Sequence, residues 1–284
     1  MNKEQLKQLF EENHLSRIWE IAAPKIKNGI HITLNKKAET QIHLGQSKIG
    51  GLPDLPENMS WFANDGAPMS FIAQINLEEL HHLDLEAKLP ATGILYFFYD
   101  SSQETWGYDP EDKDKSKVYY YKGPLSALVR KEKPEQLEDW AFFEPASLTY
   151  SAAPDVPDYQ SSLMEEVNLS DEEYDSYYNL NEDLNEGNVN KVLGHSNNIQ
   201  GGMEYECELV SNGFYCGDAT AYEDPKAQSL KDNSGNWNLL LQIDSNEDEC
   251  GMMWGDSGRL YFWIKEADLK EEKFENSWLI LQCC

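Results

Sequence analysis

The chain has 284 residues and a formal net charge of −28, from 23 Lys and Arg against 51 Asp and Glu. Without a basic cluster it could not displace the counterions of nucleic-acid phosphates, and anionic membrane surfaces would repel it. Aromatic residues make up 12% of the chain, enough for a large core, which argues against global disorder.

The first 27 residues favour helix. Apolar side chains recur at helical spacing over 3–27, with an interruption near Asn13 and an end or restart at Pro24. The polar start, Met1 to Phe10, lacks the apolar run of a signal peptide. The longest apolar runs are about five residues, far below a membrane span, so we expect a cytoplasmic protein.

Several strands follow the helical start. Apolar and polar residues alternate over Ile30–Leu34 and Ile42–Leu44, which predicts two strands joined by a turn. Asn76 is expected to cap a short helix over Leu77–Leu85. Further strands are predicted at Met69–Asn76, at Gly93–Asp100 (apolar on both faces and therefore central in a sheet) and at Val118–Tyr121.

A loop rich in glycine and proline separates the first strands. Ser47 to Pro56 has two glycines and two prolines in ten residues, which excludes regular structure. Its amides could bind an anion, but the segment lacks the glycine spacing of nucleotide-binding loops. We favour the alternative, a rigid loop that places Trp61 against the core.

The negative charge is concentrated in one region. Residues 134–190 contain 15 acidic and no basic residues, and a capping-box pattern at Ser170 predicts a helix inside this region. Tyr174, Tyr177 and Tyr178 would hold that helix to the protein and leave its acids in solvent; a disordered loop is the alternative. The predicted acidic patch comprises Asp171, Glu172, Asp175, Glu182, Asp183 and Glu186.

Three sequence blocks recur in order, which indicates an internal duplication. Leu44–Ser47, shortly before Gly50-Gly51, resembles Leu193–Ser196, shortly before Gly201-Gly202; Phe71–Asn76 resembles Leu239–Asp244; and Gly93–Phe98 resembles Gly258–Trp263. We predict an α+β fold of mainly antiparallel sheets, with two pseudo-symmetric repeats at about 29–133 and 191–284 packed as one globular body. An N-terminal helical region precedes them, and the acidic helical insertion, 134–190, lies between them.

The cleft between the repeats is a candidate ligand site. Gln74 and Gln242 occupy equivalent positions in apolar strands, where a buried amide must be hydrogen-bonded. They either bridge strands and loops or form a symmetric pair that lines the cleft. Asp256 lies between glycines, which favours a turn over a general base. The candidate cleft residues are Lys48, Gly50, Gly51, Trp61, Gln74, Gln242 and Asp256.

The sequence offers no catalytic motif and no metal site. Aspartate-rich stretches starting at Asp112 and Asp244 lack the glycine that a calcium-binding loop requires at its sixth position. We therefore expect no metal or other cofactor. The cysteines lack zinc spacing and are expected to be thiols, with a strained Cys283–Cys284 disulfide as the alternative; they are Cys207, Cys216, Cys250, Cys283 and Cys284.

Two groups of residues carry a family resemblance. The run Ser47–Pro56 before Trp61, together with Phe71–Leu77, resembles the YwqG-like family of bacterial proteins. The later Leu193–His195, Leu240–Asp244 and Gly255–Gly258 match the same family. The resemblance covers roughly residues 15–284 and implies a bacterial α+β protein. That family is catalogued as a domain of unknown function, so it implies no reaction.

The concentrated charge suggests a function. We expect a non-enzymatic, cytoplasmic protein-binding module whose acidic surface steers a basic protein partner, as in inhibitor or immunity proteins. The alternative is a small-molecule-binding protein or an enzyme with its site in the cleft between the repeats. We expect no nucleic-acid or membrane partner, and a monomer.

Overall fold

The computed structural model describes residues 1–164, 167–185 and 187–284. The strands are β1 Lys27–Lys36, β2 Lys48–Ile49, β3 Asp54–Pro56, β4 Ala63–Asn64, β5 Ala67–Pro68, β6 Ser70–Asn76, β7 Ile94–Tyr99, β8 Ser116–Tyr121, β9 Leu128–Arg130, β10 Ala146–Asp155, β11 Lys191–Leu193, β12 Trp237–Asp244, β13 Arg259–Lys265 and β14 Trp278–Gln282.

The two longest helices lie at the N-terminus and in the acidic region, and the other helices are shorter. The α-helices are α1 Lys3–Glu12, α2 Ser16–Ala22, α3 Leu77–Leu80, α4 Asp171–Asn185, α5 Glu204–Ser211, α6 Thr220–Glu223, α7 Pro225–Gln228, α8 Glu247–Cys250 and α9 Glu266–Lys270. The 3-10 helices include Ala23–Lys25, Glu39–Gln41, His81–Leu83 and Lys231–Asn236. None of the helices in the described ranges is long and apolar enough to cross a membrane.

One antiparallel sheet organises the fold. Its described strands run in the order β14-β13-β12-β11-β1-β10-β2-β6-β7-β8, so β1 and β10 lie at the centre and pair over ten residues. The predicted α+β class with antiparallel strands is confirmed. The two outer thirds of the sheet are meanders of strands close in sequence, whereas the centre joins segments more than a hundred residues apart.

The sheet curves so that its two outer parts share one core. The rings of Phe97 on β7 and Phe262 on β13 lie 5.0 Å apart between centroids, although six strands separate β7 from β13 in the sheet. The main core includes residues from both parts, among them Ile30, Ile75, Leu241, Phe262 and Leu281. Each part also carries a separate apolar cluster on its other face.

A helical layer covers the ends of the central strands. Leu6, Phe10 and Ile18, from α1 and α2, pack with Tyr177 and Leu180 of α4. The predicted interruption between the first two helices and the helix in the acidic region are both confirmed. The capping box is present too, because Ser170 and Glu173 exchange backbone-to-side-chain hydrogen bonds at 3.0 and 3.2 Å.

The predicted strand at Ile42–Leu44 is wrong. The chain passes there from a 3-10 helix into a turn in which the Gln46 amide donates to the His43 carbonyl oxygen at 3.1 Å. Strand β10 pairs along the whole of β1, and β11 pairs with Gly29–His31 on the other side, so β1 pairs with later segments and not with the one that follows it. The alternation at Ile42 and Leu44 therefore does not produce a strand, and Leu44 is 43% exposed.

Strand β10 lies inside the range predicted as an acidic helical insertion. No strand was predicted at Ala146–Asp155, yet this segment is central in the sheet. Among the described residues of the range, the α-helix is limited to α4, and two 3-10 turns, Asp139–Ala141 and Ser162–Met164, precede it. The other strands predicted before residue 134, at 30–34, 69–76, 93–100 and 118–121, are confirmed with ends shifted by a few residues. The prediction that residues 47–56 have no regular structure is wrong, because the short strands β2 and β3 lie in this segment and pair with other strands.

Candidate functional site

Hydrogen bonds around Gln74 join three segments of the chain. Gln74 lies opposite Lys48 in the pairing of β6 with β2, and neither side chain has exposed surface. Gln74 Oε1 accepts from the Asp54 amide at 2.8 Å, and its Nε2 donates to the Gln46 carbonyl at 2.7 Å and to Asp54 Oδ2 at 2.8 Å. We name Glu39, Lys48, Asp54, Gln74 and Arg130 the Gln74 network.

The Gln74 network pairs two cations with two carboxylates. Lys48 Nζ lies 2.7 Å from Glu39 and 3.7 Å from Asp54, and Arg130 Nε donates to Asp54 at 2.8 Å. Burial by itself would raise the pKa of Asp54, but the hydrogen bond from Arg130 and the charge of Lys48 outweigh it and lower that pKa. Burial lowers the pKa of Lys48. The charges therefore neutralise one another inside the protein.

A second network surrounds Gln242. Gln242 lies opposite Lys191 in the pairing of β12 with β11, and both side chains are again without exposed surface. Gln242 Oε1 accepts from the Asn197 amide at 2.9 Å, and its Nε2 donates to the Val189 carbonyl at 2.6 Å and to Asn197 Oδ1 at 3.0 Å. We name Asp155, Lys191, His195, Asn197 and Gln242 the Gln242 network.

The charges of the Gln242 network are fewer. Lys191 Nζ donates to Asp155 Oδ2 at 2.9 Å, and the His195 amide donates to the same oxygen at 2.9 Å. Burial opposes ionisation of Asp155, but Lys191 and His195 lower its pKa below the usual range. The His195 ring lies 2.7 Å from the Lys25 carbonyl, so Nε2 carries the proton, and burial together with the charge of Lys27 lowers the histidine pKa to about 4.

The residues predicted from the sequence include the two glutamines and Lys48, but not Lys191 or the aspartates Asp54 and Asp155. The prediction that Gln74 and Gln242 bridge strands and loops is confirmed by their hydrogen bonds. Burial of Lys191 was not predicted, because lysine is ordinarily exposed. One signal was available in the sequence: each lysine comes six residues before the Asx that bonds its glutamine, Asp54 or Asn197.

The candidate cleft residues fall into separate places. Lys48, Gln74 and Gly50 belong to one part of the sheet, and Gln242 belongs to the other. In both networks the glutamines use their amide groups on the protein itself. Five cavities found in the described part of the chain are lined by other residues.

The remaining cleft candidates have structural contacts. The Gly50 amide donates to the Ile72 carbonyl and the Gly51 amide to the Phe143 carbonyl, both at 2.9 Å, so neither is available to an anion. Trp61 packs edge-on against Phe71 and Phe98 and donates to the Met69 carbonyl at 2.8 Å.

Asp256 occupies the exposed turn that the sequence favoured. Gly258 closes this turn by donating its amide to the Trp254 carbonyl at 2.7 Å. In the described part of the chain, no cluster of three or more His, Cys, Asp or Glu is arranged to hold a metal ion.

The acidic patch is carried on the outer side of α4. Its described members are exposed, whereas Tyr177 and Leu180 of the same helix are buried. Arg17 fixes the start of the helix through Glu173, with nitrogen–oxygen distances of 2.6 and 2.8 Å. We name the described members the α4 acidic face: Asp171, Glu172, Asp175, Glu182 and Asp183. The sixth predicted member, Glu186, lies outside the described residues.

Two tyrosines border the α4 acidic face. The tyrosines were predicted to pack together on the protein, but Tyr174 and Tyr178 are 44% and 42% exposed and only Tyr177 is buried. Both exposed rings meet Tyr159 edge-on, with centroid distances of 5.0 and 5.6 Å. The result is a fixed aromatic border beside carboxylates, because each exposed ring is held by a third ring.

One known family matches most of the chain. The family described as Domain of unknown function (DUF1963) matches residues 47–283. This chain belongs to that family. The matched region begins at the loop that carries Lys48 and contains the Gln242 network and all of the Gln74 network except Glu39, whereas α1, α2 and β1 precede it. No curated protein matches the chain.

Proposed function

We propose that this protein is a non-enzymatic binding module whose α4 acidic face docks a basic protein partner. The observation that carries the proposal is that these carboxylates are exposed and, among the described residues, have no ion-pair partner. Exposed like charges on one helix repel one another, and an approaching cationic surface removes that repulsion.

The geometry of α4 suits docking. Asp171, Asp175 and Glu182 recur at spacings of four and seven residues and therefore share one face of the helix. Tyr174 and Tyr178 lie beside this face, where tyrosine supplies contact area with little entropy to lose. The carboxylates would accelerate encounter, and the tyrosines would slow dissociation.

The alternative of a ligand site in the cleft between the repeats has no comparable support. Its candidate side chains use their polar atoms on the protein, and Gln74 and Gln242 sit in different networks.

The proposal is tested by neutralising the α4 acidic face. A variant with D171N, E172Q, D175N, E182Q and D183N keeps the shapes of the side chains and removes their charge. A control with the same charge change carries the substitutions E57Q, E104Q, E223Q, E247Q and E275Q at exposed positions elsewhere. Each protein is immobilised on a resin and incubated with a lysate of the source cells. The captured proteins are then quantified by mass spectrometry.

We expect a basic protein to be captured by the wild type and the control and not by the α4 variant. Association with that protein should slow by tenfold or more at low salt in the α4 variant and lose its salt dependence. In contrast, Y174A with Y178A should mainly raise the dissociation rate. Equal capture by all the variants, or no captured basic protein, refutes the proposal.

We also propose that the fold is an internal duplication, of the YwqG-like type in a bacterial, cytoplasmic protein. The supporting observation is that Gln74 and Gln242 make corresponding hydrogen bonds, although the charged groups of their networks differ. In addition, the pairing of each glutamine's strand with the next strand skips one residue, Ile72 or Leu240, two positions before the glutamine. Tyr96 and Tyr261 lie opposite Gln74 and Gln242, and their hydroxyls donate to the carbonyls of Asp54 and Asn197.

The correspondence differs from the sequence alignment in one block. The hydrogen bonds match Gly50 and Gly51 with Leu193 and Gly194, and not with Gly201 and Gly202. All four matched residues have positive φ, 65° and 71° in the first pair and 60° and 78° in the second. Leu193 therefore holds a left-handed conformation that glycine adopts without strain in the other half.

A further inference from the structure

A cavity of about 420 Å³ lies at the start of strand β1. It is bordered by residues 1–3, the first residues of β1, the turn at Leu85 and the last part of β10. This volume falls in the lower part of the range of small-molecule sites. Most of its wall is apolar, through Ile26, Leu85, Ala152, Ala153 and Pro154.

One lysine of the cavity wall has no ion-pair partner among the described residues. Lys27 lines the cavity and is partly buried. In the part of the chain that the structure describes, its ammonium group makes no hydrogen bond and no ion pair. By contrast, Lys48 and Lys191, which are fully buried, have a carboxylate oxygen at 2.7 and 2.9 Å.

The carboxylates nearest to Lys27 are already engaged elsewhere. Glu86 Oε1 accepts from the Asn28 amide at 2.6 Å, and Glu204 accepts from the Ser162 hydroxyl at 3.0 Å. Asp155 is bonded to Lys191. Among the described residues, the ammonium group of Lys27 is therefore left without a direct ion pair beside an apolar space.

Burial and the charges around Lys27 determine the direction of its pKa shift. Burial lowers its pKa, Glu204 and Asp155 oppose that shift, Lys88 adds to it and Glu86 opposes it weakly. His195, which senses the charge of Lys27, has a pKa of about 4 and adds no positive charge near neutral pH. An incoming anion stabilises a desolvated ammonium group more than it stabilises an exposed ammonium group.

We propose that this cavity binds a small organic carboxylate, with its apolar part against β10 and Leu85 and its carboxylate on Lys27. Lys3, which also lines the cavity, adds a second positive charge against the single carboxylate of Glu86. Most of the surface of a chain with net charge −28 repels anions, so this locally cationic, apolar-walled cavity stands apart. The site is independent of the α4 acidic face.

The first test compares octanoate with 1-octanol by calorimetry on the full chain. Both probes offer the same apolar tail, and only octanoate carries the charge. We expect octanoate to bind at least tenfold more tightly than octanol in the wild type. K27M should remove that difference, and K7M, which removes a lysine from the exposed side of α1, should keep it. Because Lys27 has no partner to leave unpaired among the described residues, K27M is expected to fold.

Two further variants separate ligand binding from a structural effect. A153L should weaken octanoate and octanol alike, because it fills the cavity while Lys27 stays in place. Raising the pH through the pKa of Lys27 should weaken octanoate binding to the wild type but not to K27R, whose guanidinium stays charged. In ¹³C-alanine-labelled protein, octanoate should shift the methyl signals of Ala152 and Ala153. Equal affinity for octanoate and octanol in the wild type, unshifted alanine signals, or full binding to K27M would overturn the proposal.

Discussion

The Gln74 and Gln242 networks share one hydrogen-bond geometry and neutralise their lysines in different ways. Lys48 lies between Glu39 and Asp54, with Arg130 as a second cation. Lys191 has Asp155 as its ion-pair carboxylate, and the position that corresponds to Asp54 is the neutral Asn197. The two networks thus share the glutamine amide and the backbone register, and they differ in their charged side chains.

The largest expected effect comes from removing the buried lysines. K191M leaves Asp155 buried without a countercharge, and we expect it to lower the free energy of unfolding by about 3–5 kcal/mol. K48M should cost less, about 2 kcal/mol, because Arg130 still pairs with Asp54. Urea titrations of both variants measure the difference. K37M, at an exposed lysine, is the control, and equal losses for K48M and K191M would show that Arg130 gives no compensation.

Gln74 and Gln242 should contribute equally to the free energy of unfolding. Q74L and Q242L each leave a buried backbone amide, that of Asp54 or Asn197, without its acceptor. We expect each to lower the free energy of unfolding by about 2 kcal/mol. Q8L, at an exposed position on α1, is the control for the apolar substitution. If the two losses differ by more than about 1 kcal/mol, the amide is not the constant part of the two networks.

The smallest effect is a pH dependence confined to the Gln242 network. The pKa of His195 in the fold is about 4, below its ordinary value of 6.5, so the unfolded chain binds the proton more readily. Stability from this group is therefore lost as the pH falls from 6.5 towards 4. Between about pH 7 and about pH 5.5 the loss should reach about 1 kcal/mol.

The comparison of wild type with H195Q isolates this effect. Gln can donate to the Lys25 carbonyl as the imidazole does, and it does not titrate. Asp158 and Glu206, with pKa values raised by burial to about 6 and about 7, shift stability in the opposite direction and are common to both proteins. H81Q, at an exposed histidine, should behave as the wild type. Parallel pH profiles for wild type and H195Q would contradict the prediction.

Local patterns were sufficient to predict much of the fold. The spacing of Leu6, Phe10 and Ile18 gave two helices, and the apolar run Ile94–Tyr99 gave a buried strand, because neighbours in sequence decide both. The segment Ala146–Asp155 has small residues and a proline and shows no alternation. It becomes a strand because β1 and β2 bind its two edges, which is information from more than a hundred residues away.

The candidate site was predictable to a lesser degree. The similar positions of Gln74 and Gln242 were predicted from the similar sequences of their strands. The burial of Lys48 and Lys191, in contrast, depends on carboxylates from other segments of the chain. The positions of Tyr174 and Tyr178 beside the acids follow from Tyr159, which no helical periodicity relates to them. Lys27 lacks an ion pair within the described ranges because the nearby carboxylates are hydrogen-bonded to other groups, and this has no sequence signature.

The central position of β1 has a consequence for synthesis of the protein. The ribosome completes β1 at residue 36, but its partners β10 and β11 follow only at residues 146–155 and 191–193. At translation rates of roughly 5–20 residues per second, β1 waits on the order of ten seconds with both edges unpaired. The β6-β7-β8 meander can pair during that interval, so a nascent chain stalled before residue 146 exposes β1 to other chains and should be the species that chaperones bind.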